Sequence, residues 1–378
     1  MEKEIKGTII KAKKGTATGD ASPKKAPARK AAAKKPATGK AAPKKAPAKK
    51  RPPKKAAAPE VPKKPTPAEA PMKPAVRVGT VALLGRPNVG KSTLINALLG
   101  QKIAIVSNKP QTTRISILGI KTTDRGQIIF IDNPGIHRPL HTLNRRMMSF
   151  VFSSLETADL LCLLIDATQP FGHGDEFVVE VLRKIKLRPI FLLINKVDAV
   201  RKDKVLPIIE RYKDLLPFKE IVPISALAGI NLGVLEDLIF KALPEAEKVY
   251  SDDEISDQSE RFLLAEIIRE KVLNHVEQEL PFESAVYIDS IENKTQADKD
   301  GNPKPLTYIQ ASVFVEKDNQ RKIIIGRGGS LIKTIGMEAR REIEEILETK
   351  VYLALQVRWR PQWRDSEDVL DLIEGQKR

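Results

Sequence analysis

The loop formed by residues 85–92, with the sequence GRPNVGKS, limits the possible fold of this chain more than any other segment. It follows the apolar run 76–84 and precedes residues 93–99, which begin a helix by composition. A strand, a G-x-x-x-x-G-K-S loop and a helix in this order bind phosphate. Backbone N–H groups surround the phosphate oxygens, and the positive end of the helix faces the anion. We therefore predict that Lys91 contacts the β and γ phosphates of a nucleotide and that the hydroxyl of Ser92 binds Mg²⁺.

A carboxylate for the same metal follows a later strand. The run 127–131 is rich in apolar and β-branched residues and ends at Asp132, and Gly135 completes a D-x-x-G pattern. A carboxylate at Asp132 can hold the metal through water, while the N–H of Gly135 meets the γ-phosphate. The D-x-x-G pattern is a weak signal alone, and its position after a strand gives it weight.

The polar stretch 108–114 lies between these two segments. Stretches of this kind order around γ-phosphate and Mg²⁺ and so form a switch. We predict Thr113 as the hydroxyl that contacts the metal and keep Thr112 as the alternative.

Two later segments predict recognition of guanine. The buried-looking run 189–194 leads into N-K-V-D at 195–198, where a carboxylate can accept both N1–H and the 2-amino group of guanine. Adenine lacks this donor pair, and a site built to hydrogen-bond a group rejects an analogue that lacks it. The run 221–224 ends in S-A-L at 225–227, whose backbone N–H groups can cap guanine O6. The nucleotide is therefore predicted to be GTP.

These segments define a predicted site. The predicted GTP-binding residues are Gly85, Arg86, Pro87, Asn88, Val89, Gly90, Lys91, Ser92, Thr93, Asp132, Asn133, Pro134, Gly135, Ile136, Asn195, Lys196, Val197, Asp198, Ser225, Ala226 and Leu227. The predicted catalytic residues are Lys91, Asn88, Thr113 and Gly135, and the predicted Mg²⁺ ligands are Ser92, Thr113 and, through water, Asp132.

A second glycine turn, G-R-G-G at 326–329, predicts an RNA contact. It precedes the helical stripe of 330–349, so it joins two helices and lets a nucleic-acid backbone approach closely. A helix at 259–276 and strands at 284–291, 306–315 and 351–357 complete an α-β-β-α-α-β order. The predicted RNA-binding residues are Arg321, Lys322, Gly326, Arg327, Gly328, Gly329 and Lys333.

From about Val76 onward the chain resembles the bacterial Era family of translation-factor-related GTPases, and its second half is similar to a type II KH domain. The resemblance implies an α/β P-loop GTPase domain at 76–245, with a mostly parallel sheet and flanking helices. It further implies a linker at 246–258, an α+β KH domain at 259–358 and a C-terminal extension at 359–378.

The resemblance also implies a function. It implies GTP hydrolysis, binding of the 3′ region of small-subunit (16S) ribosomal RNA, and a role in maturation of the small ribosomal subunit. Because γ-phosphate and Mg²⁺ are expected to order the segments around Thr113 and Gly135, we predict that RNA affinity follows the nucleotide state, and we expect a monomer. The resemblance also implies peripheral contact with the inner face of the cell membrane, and the expected location is the cytoplasm.

Hydrolysis is expected to be slow. Ile136 follows the D-x-x-G pattern, where related enzymes carry a Gln that orients the attacking water. Another group, a bound cation or a partner must then supply stabilisation. In loops that resemble this one, an Asn at the position of Asn88 helps to hold K⁺, so K⁺ is a candidate cofactor beside Mg²⁺. Asn133 stands where the family usually has Thr, and we expect its side chain to face away from the nucleotide.

Residues 1–75 have a different composition from the rest. They hold 22 Lys and Arg against 5 Asp and Glu, 13 of the 27 prolines and no aromatic residue. Because little apolar surface is available to offset ordering, we predict a disordered tail. The repeat at 23–30 and 43–50 favours an arm that adds salt-sensitive affinity for nucleic acid or anionic lipid. A solubilising appendage and a wrongly assigned start codon are the alternatives.

Two other segments carry open expectations. The connector 243–258 is long enough to permit a rearrangement between the two domains. Residues 358–364 alternate cations with Trp359 and Trp363, a pattern that either stacks bases or anchors the chain end on the core. We favour anchoring.

Two other functions remain as alternatives. A tRNA-modification or double-G-domain GTPase of the same class is disfavoured because the chain has one phosphate loop and one N-K-x-D segment. A nucleoid or DNA-binding protein dominated by the tail would lose nucleic-acid binding on deletion of residues 1–75. The sequence has no 18-residue apolar run and no secretory signal, so we expect neither a membrane span nor secretion.

Overall fold

The structure is a computed structural model and describes residues 76–185, 188–297 and 303–377. The predicted disordered tail, residues 1–75, lies outside the described residues.

The first half of the described chain is a mostly parallel sheet with helices on both faces, as predicted. The strand order is β2-β3-β1-β4-β5-β6, with β7 paired to β1; β2 and β7 run antiparallel to their neighbours. The strands are β1 (Val76–Leu84), β2 (Ile117–Thr123), β3 (Gly126–Asp132), β4 (Leu160–Asp166), β5 (Ile190–Asn195), β6 (Phe218–Pro223) and β7 (Glu245–Ala246). The helices are α1 (Lys91–Leu99), α2 (Thr142–Thr157), α3 (His173–Arg183), α4 (Val205–Tyr212) and α5 (Leu232–Ala242).

Each face of this sheet has its own core. Side chains alternate along β1, so Val81 and Leu83 enter one core while Ala82 and Leu84 enter the other. The central strands β4 and β5 are nearly continuous apolar runs because helices cover both of their faces. The carboxyl ends of the parallel strands β1, β3, β5 and β6 meet at one edge of the sheet, which brings the predicted nucleotide segments together.

The second half is a three-stranded sheet covered by helices. The order is β10-β9-β8, with β8 and β9 antiparallel and β9 and β10 parallel. The elements are α6 (Glu260–His275), α7 (Leu280–Glu283), β8 (Ser284–Ala297), β9 (Pro303–Val315), α8 (Asp318–Ile325), α9 (Ser330–Leu347) and β10 (Lys350–Trp359). This is the predicted α-β-β-α-α-β order with one added short helix, α7. Strand β8 continues six residues beyond the predicted end because backbone pairing with β9 extends into a polar stretch.

The connector between β7 and α6 lies along the edge of the first sheet. The N–H of Ile120 donates to the carbonyl of Ile255 at 2.9 Å, and Ser256 forms an antiparallel bridge with Gly119. The buried side chain of Gln127 accepts the N–H groups of Val249 and Tyr250, each at 3.0 Å. The connector is thus bonded to the sheet at several points.

Residues 360–377, called here the C-terminal segment, contact both halves. Trp363 is 1% exposed and packs on α2 and β9, and its indole N–H donates to the carbonyl of Glu283 at 2.9 Å. Trp359, at the end of β10, is 53% exposed. Helix α10 (Glu367–Glu374) follows, and Lys377 donates to the carbonyl of Ser116 at 2.7 Å. Trp363 is therefore an anchor, as expected, whereas Trp359 is not buried.

Within the described ranges, no helix has both the length and the apolar character needed to cross a membrane.

Candidate functional site

A cavity of about 650 Å³ opens at the carboxyl edge of the first sheet. Fifteen of the predicted GTP-binding residues line it: Arg86, Pro87, Asn88, Val89, Gly90, Lys91, Ser92, Thr93, Gly135, Asn195, Lys196, Asp198, Ser225, Ala226 and Leu227. The other six lie behind this surface: Gly85, Asp132, Asn133, Pro134, Ile136 and Val197. The switch residues Thr112 and Thr113 also line the cavity.

The phosphate loop has the conformation that anion binding requires. Gly90 adopts a left-handed φ of 98°, and a Cβ there would lie 2.3 Å from the side-chain nitrogen of Asn195. Lys91 is buried, and its Nζ donates to the carbonyl of Arg86 at 3.1 Å. Burial lowers the pKa of Lys91 to about 8, although the charge of Asp132 opposes this shift. A bound phosphate would supply the anion that favours the charged lysine.

Three oxygen ligands converge beside Lys91. The hydroxyl of Ser92 donates to Oδ2 of Asp132 at 2.6 Å and lies 2.9 Å from the hydroxyl of Thr113. The Thr113 hydroxyl also donates to Oδ2 of Asp132, at 3.3 Å. Burial raises the pKa of Asp132, with the charge of Lys91 acting in the opposite direction. All three predicted metal residues are thus brought together.

The donor set fits Mg²⁺. Oδ1 of Asp132 is buried and has no hydrogen-bond partner among the described residues. Hydroxyl and carboxylate oxygens are the ligands that Mg²⁺ prefers, with water and phosphate completing its octahedron. Among the described residues, no group of three or more His, Cys, Asp or Glu side chains is placed to hold a metal ion. The site therefore suits a metal that arrives with phosphate.

Of the two candidate threonines, Thr113 faces the metal position. The hydroxyl of Thr112 donates instead to the carbonyl of Lys109 at 2.7 Å. Sequence alone could not separate the two residues, because they are adjacent and chemically identical.

The base-recognition segments are held by Asn195 and Lys196. Asn195 donates to the carbonyl of Val89 at 2.8 Å and accepts the N–H of Ala226 at 2.9 Å. Lys196 has a left-handed φ of 66° and donates to the carbonyl of Asn88 at 2.9 Å. The carboxylate of Asp198 is exposed and has no partner among the described residues, so it is free to accept guanine.

Residues 225–227 offer fewer unpaired N–H groups to guanine O6 than the sequence predicts. The N–H of Ser225 donates to the carbonyl of Ile230 at 3.2 Å, and the N–H of Ala226 is taken by Asn195. Of the three N–H groups predicted to cap guanine O6, only that of Leu227 has no internal acceptor in the described chain. If the N–H of Ala226 also donates to guanine O6, it must be shared between that atom and the side-chain oxygen of Asn195.

Two supporting carboxylates were missed from the sequence. Asp166, at the end of β4, binds Lys196 at 2.6 Å. Burial alone would raise the pKa of Asp166, but hydrogen bonds from Lys196 and Thr168 outweigh it and lower that pKa. Asp175, on α3, binds Arg86 at 2.7 Å. Asp166 could have been found by its position, since it ends another parallel strand at the same edge.

The residues after Asp132 are packed tightly. A Cβ on Gly135 would lie 2.6 Å from the backbone nitrogen of Pro87, so glycine is required there. Ile136 is 2% exposed and lies in the core, not in the cavity. The Asn133 side chain bonds Ser116 and the carbonyl of Leu83 and does not line the cavity. Slow intrinsic hydrolysis stays a prediction.

The second glycine turn joins α8 to α9. Gly328 and Gly329 have left-handed φ values of 59° and 80°, and a Cβ on either would meet nothing within 4 Å. The four predicted basic residues nearby are all exposed: Arg321, Lys322, Arg327 and Lys333. Arg321 also pairs with Asp318 at 2.9 Å. The turn therefore presents open backbone with cations around it, which suits a nucleic-acid backbone.

Known families and structures match both halves. Residues 80–196 match the family described as 50S ribosome-binding GTPase, and residues 288–364 match the KH domain family. A crystal structure of Era in complex with MgGDPNP and nucleotides 1506–1542 of 16S ribosomal RNA is 40% identical, with a TM-score of 0.73, over 79% of this chain and 98% of that one. A variant of Aquifex aeolicus Era bound to GDP·AlF4⁻ has the same identity and TM-score, over 79% of this chain and 99% of that one.

Proposed function

Because the chain belongs to the Era family of GTPases, we propose that it binds the 3′ region of small-subunit ribosomal RNA and acts in maturation of the small ribosomal subunit as a monomer. Its RNA affinity follows the nucleotide state. The activity itself is hydrolysis of GTP to GDP and phosphate. Neither the tRNA-modification alternative nor the nucleoid alternative is favoured by any observation.

The chemistry at the nucleotide follows from the site residues. Lys91 holds the phosphates, and Ser92, Thr113 and Asp132 would hold Mg²⁺. When bound, Mg²⁺ would neutralise charge on the β and γ phosphates. Gly135 lies against Pro87 of the phosphate loop, and its N–H would meet the γ-phosphate. Asp198 accepts the guanine edge and gives selectivity against ATP.

One observation carries the RNA part of the proposal. Gly328 and Gly329 leave open space above a left-handed turn, in the domain that corresponds to the KH domain of an Era bound to 16S ribosomal RNA nucleotides. Single-stranded RNA can pack its backbone against such a turn. A side chain at either glycine would fill that space.

Fluorescence anisotropy tests the proposal. The full chain is titrated into a single-stranded RNA copying the small-subunit 3′ end, and into a scrambled RNA, with non-hydrolysable GTP or with GDP. We expect tighter binding to the true sequence in one nucleotide state. Changing Gly328 and Gly329 together to Asp should weaken that binding at least about tenfold, since it adds bulk and negative charge where the backbone packs.

Gly100→Asp is the matched control. Gly100 has a left-handed φ of 72° and nothing within 4 Å of its Cβ position, and it follows α1 of the first domain, so its substitution costs similar backbone strain outside the turn. It should leave RNA binding unchanged. Equal, weak binding of both RNAs in both nucleotide states would contradict the proposal.

K⁺ is proposed as a second cation. The side chain of Asn88 lines the cavity, and its amide donates to the carbonyl of Asn108 in the switch at 2.6 Å. An ion bound there would join the phosphate loop to the switch. We expect faster hydrolysis in KCl than in NaCl, and loss of that difference in Asn88→Ala. Equal rates in both salts with the unchanged chain would refute it.

The protein is further proposed to be cytoplasmic, with the basic residues 1–75 adding contact to nucleic acid or to the inner membrane surface. Deletion of these residues should reduce the salt dependence of RNA binding but keep its sequence preference. Membrane contact would be refuted if the full chain does not bind anionic vesicles at physiological salt.

A further inference from the structure

The threonine at the metal position lies between two residues that contact the second domain. On one side, Arg114 is 8% exposed and extends into the region where α7 meets β8. Its guanidinium donates to the carbonyl of Ser284 at 2.7 Å and to that of Pro281 at 3.0 Å. The same guanidinium lies 5.5 Å from the ring centre of Trp363 in the C-terminal segment.

On the other side, the donor belongs to the second domain and the acceptor belongs to the first. Arg269, on α6 of the second domain, is 3% exposed and donates from Nη2 to the backbone carbonyl of Thr112. Its Nε donates to Glu266 at 2.7 Å, which fixes the guanidinium plane. The second domain thus holds the residue before Thr113 and the residue after it.

Because the two held residues directly flank Thr113, their contacts also restrain its position. Three residues span at most about 10 Å, so Thr113 cannot move freely while Thr112 and Arg114 are held. Its hydroxyl lies 2.9 Å from that of Ser92 in this arrangement. Separation of the domains would break the hydrogen bonds from Arg114 to the carbonyls of Ser284 and Pro281 and from Arg269 to the carbonyl of Thr112, so Thr113 would lose the restraint on both sides.

Each of these two guanidinium groups also has one N–H donor without an acceptor in the described part of the chain. Nε of Arg114 and Nη1 of Arg269 are buried and have no acceptor among the described residues. Unsatisfied buried donors cost free energy and are rare in folded proteins. An interface that keeps two of them at the switch is suited to rearrange, since another arrangement can satisfy donors that this one leaves unpaired.

We infer that Arg269 and Arg114 are positioning residues that couple docking of the RNA-binding domain to the Mg²⁺ ligand Thr113. This inference rests on the proposed function of the nucleotide site. In the arrangement described here, the docked domain holds Thr113 ready for Mg²⁺ and the γ-phosphate. Because such coupling is reciprocal for binding free energies, Mg²⁺ with GTP stabilises the docked arrangement, and RNA that changes the docking changes the affinity for Mg²⁺ with GTP.

The test is a Mg²⁺ titration of single-turnover GTP hydrolysis with the full chain. Arg269→Gln removes the charge-assisted bond to Thr112, and we expect the half-saturating Mg²⁺ concentration to rise about tenfold. GDP affinity should change less than about twofold, since the metal contact of Thr113 responds to the γ-phosphate. Arg269→Lys keeps the charge and should give an intermediate value.

Arg261→Ala is the matched control. Arg261 lies on the same helix and donates to the carbonyl of Ile288 at 2.7 Å, inside the second domain. It should keep the Mg²⁺ dependence of the unchanged chain. Melting temperatures of all variants establish that each is folded at the assay temperature.

Two results would overturn the inference. One is an Arg269→Gln variant that is folded and titrates like the unchanged chain. The other is an equal shift in Arg261→Ala, which would indicate general loosening of the second domain. Neither result depends on RNA.

RNA binding then separates this inference from the proposed function. If the unchanged chain binds RNA with a different affinity in its two nucleotide states, Arg269→Gln should bring the ratio of those affinities toward one. If the unchanged chain shows no such difference, nucleotide control of RNA binding fails, while the Mg²⁺ titration still decides the role of Arg269.

Discussion

The side-chain amide of Asn195 donates a hydrogen bond to the backbone carbonyl of Val89, 2.8 Å away. The residue that opens the base-recognition segment therefore also holds the phosphate loop by its backbone. Through its other side-chain atom it accepts the N–H of Ala226. One buried side chain thus sets the relative positions of three nucleotide-binding segments.

Asn195→Ala should lower both stability and nucleotide affinity. It leaves a carbonyl and an N–H buried without partners, so we expect the free energy of unfolding to fall by about 2–5 kcal/mol. GTP and GDP affinities should fall together, because the phosphate loop loses its support. Urea unfolding and fluorescent-nucleotide titration measure the two effects.

Gln127→Ala is the control for that variant. The side chain of Gln127 is also a buried amide with several hydrogen bonds. It lies at the start of β3, whereas the end of β3 at Asp132 lies at the nucleotide site, and its bonds hold the connector. Its loss should reduce stability while nucleotide affinity stays the same. Unchanged nucleotide affinity in folded Asn195→Ala would contradict the role given to Asn195.

Thr113→Ala should weaken Mg²⁺-dependent GTP hydrolysis. The hydroxyl of Thr113 lies beside Ser92 and Asp132, whereas that of Thr112 bonds Lys109. We expect the apparent Mg²⁺ affinity of Thr113→Ala to fall about 10- to 100-fold. Thr112→Ala is the paired control and should stay near the unchanged chain. The reverse order of effects would assign the metal contact to Thr112.

We expect the contact between the two domains to weaken as the pH falls, because Glu342 becomes protonated. Lys102 of the first domain binds Glu342 of α9 at 2.6 Å, and Lys271 also contacts it. Burial would raise the pKa of Glu342, but hydrogen bonds from Lys102 and Lys271 outweigh it and lower that pKa. A carboxylate with a lowered pKa stabilises the fold above its unfolded value and loses that effect as pH falls through its folded value.

The measurement compares the unchanged chain with Glu342→Gln. At pH 7 the difference in the free energy of unfolding should be about 1 kcal/mol, because the group is only partly buried. The difference should persist to about pH 5 and shrink below about pH 4. A difference that is constant across this range would exclude titration of Glu342 as its origin.

Trp363→Ala should be among the most destabilising single changes. The side chain is almost fully buried between α2, β9 and α10, and its loss leaves a large cavity. We expect the free energy of unfolding to fall by about 3–5 kcal/mol. Trp359→Ala, at a half-exposed position, should cost about 1 kcal/mol through loss of its bond to the carbonyl of Glu316. Similar costs for the two tryptophans would contradict the anchor role of Trp363.

The parts of the site that could be predicted from sequence lie in short contiguous segments. Segments such as 85–92 and 195–198 each follow an apolar strand, and parallel strands bring their carboxyl ends to one edge. The mostly parallel sheet and the α-β-β-α-α-β order were confirmed for the same reason, since periodicity and glycine turns act over short distances.

The remaining features depend on contacts between distant segments. Arg269 and Thr112 are 157 positions apart, and no local pattern links a helix arginine to one backbone carbonyl. The use of the Ala226 N–H by Asn195 likewise follows from packing of neighbouring strands. The length of the connector predicted that it permits a rearrangement between the domains, but sequence did not indicate that its backbone is bonded to β2, which offers unpaired groups at the edge of the sheet.

The bonded connector has a practical consequence for domain dissection. Cutting the chain at 245, the predicted end of the first domain, would remove residues 255–257, which cover the outer edge of β2. An uncovered edge strand pairs readily with another chain. An isolated first domain that ends at 245 should therefore self-associate, whereas one that extends through 258 should stay dispersed, a difference that light scattering would reveal.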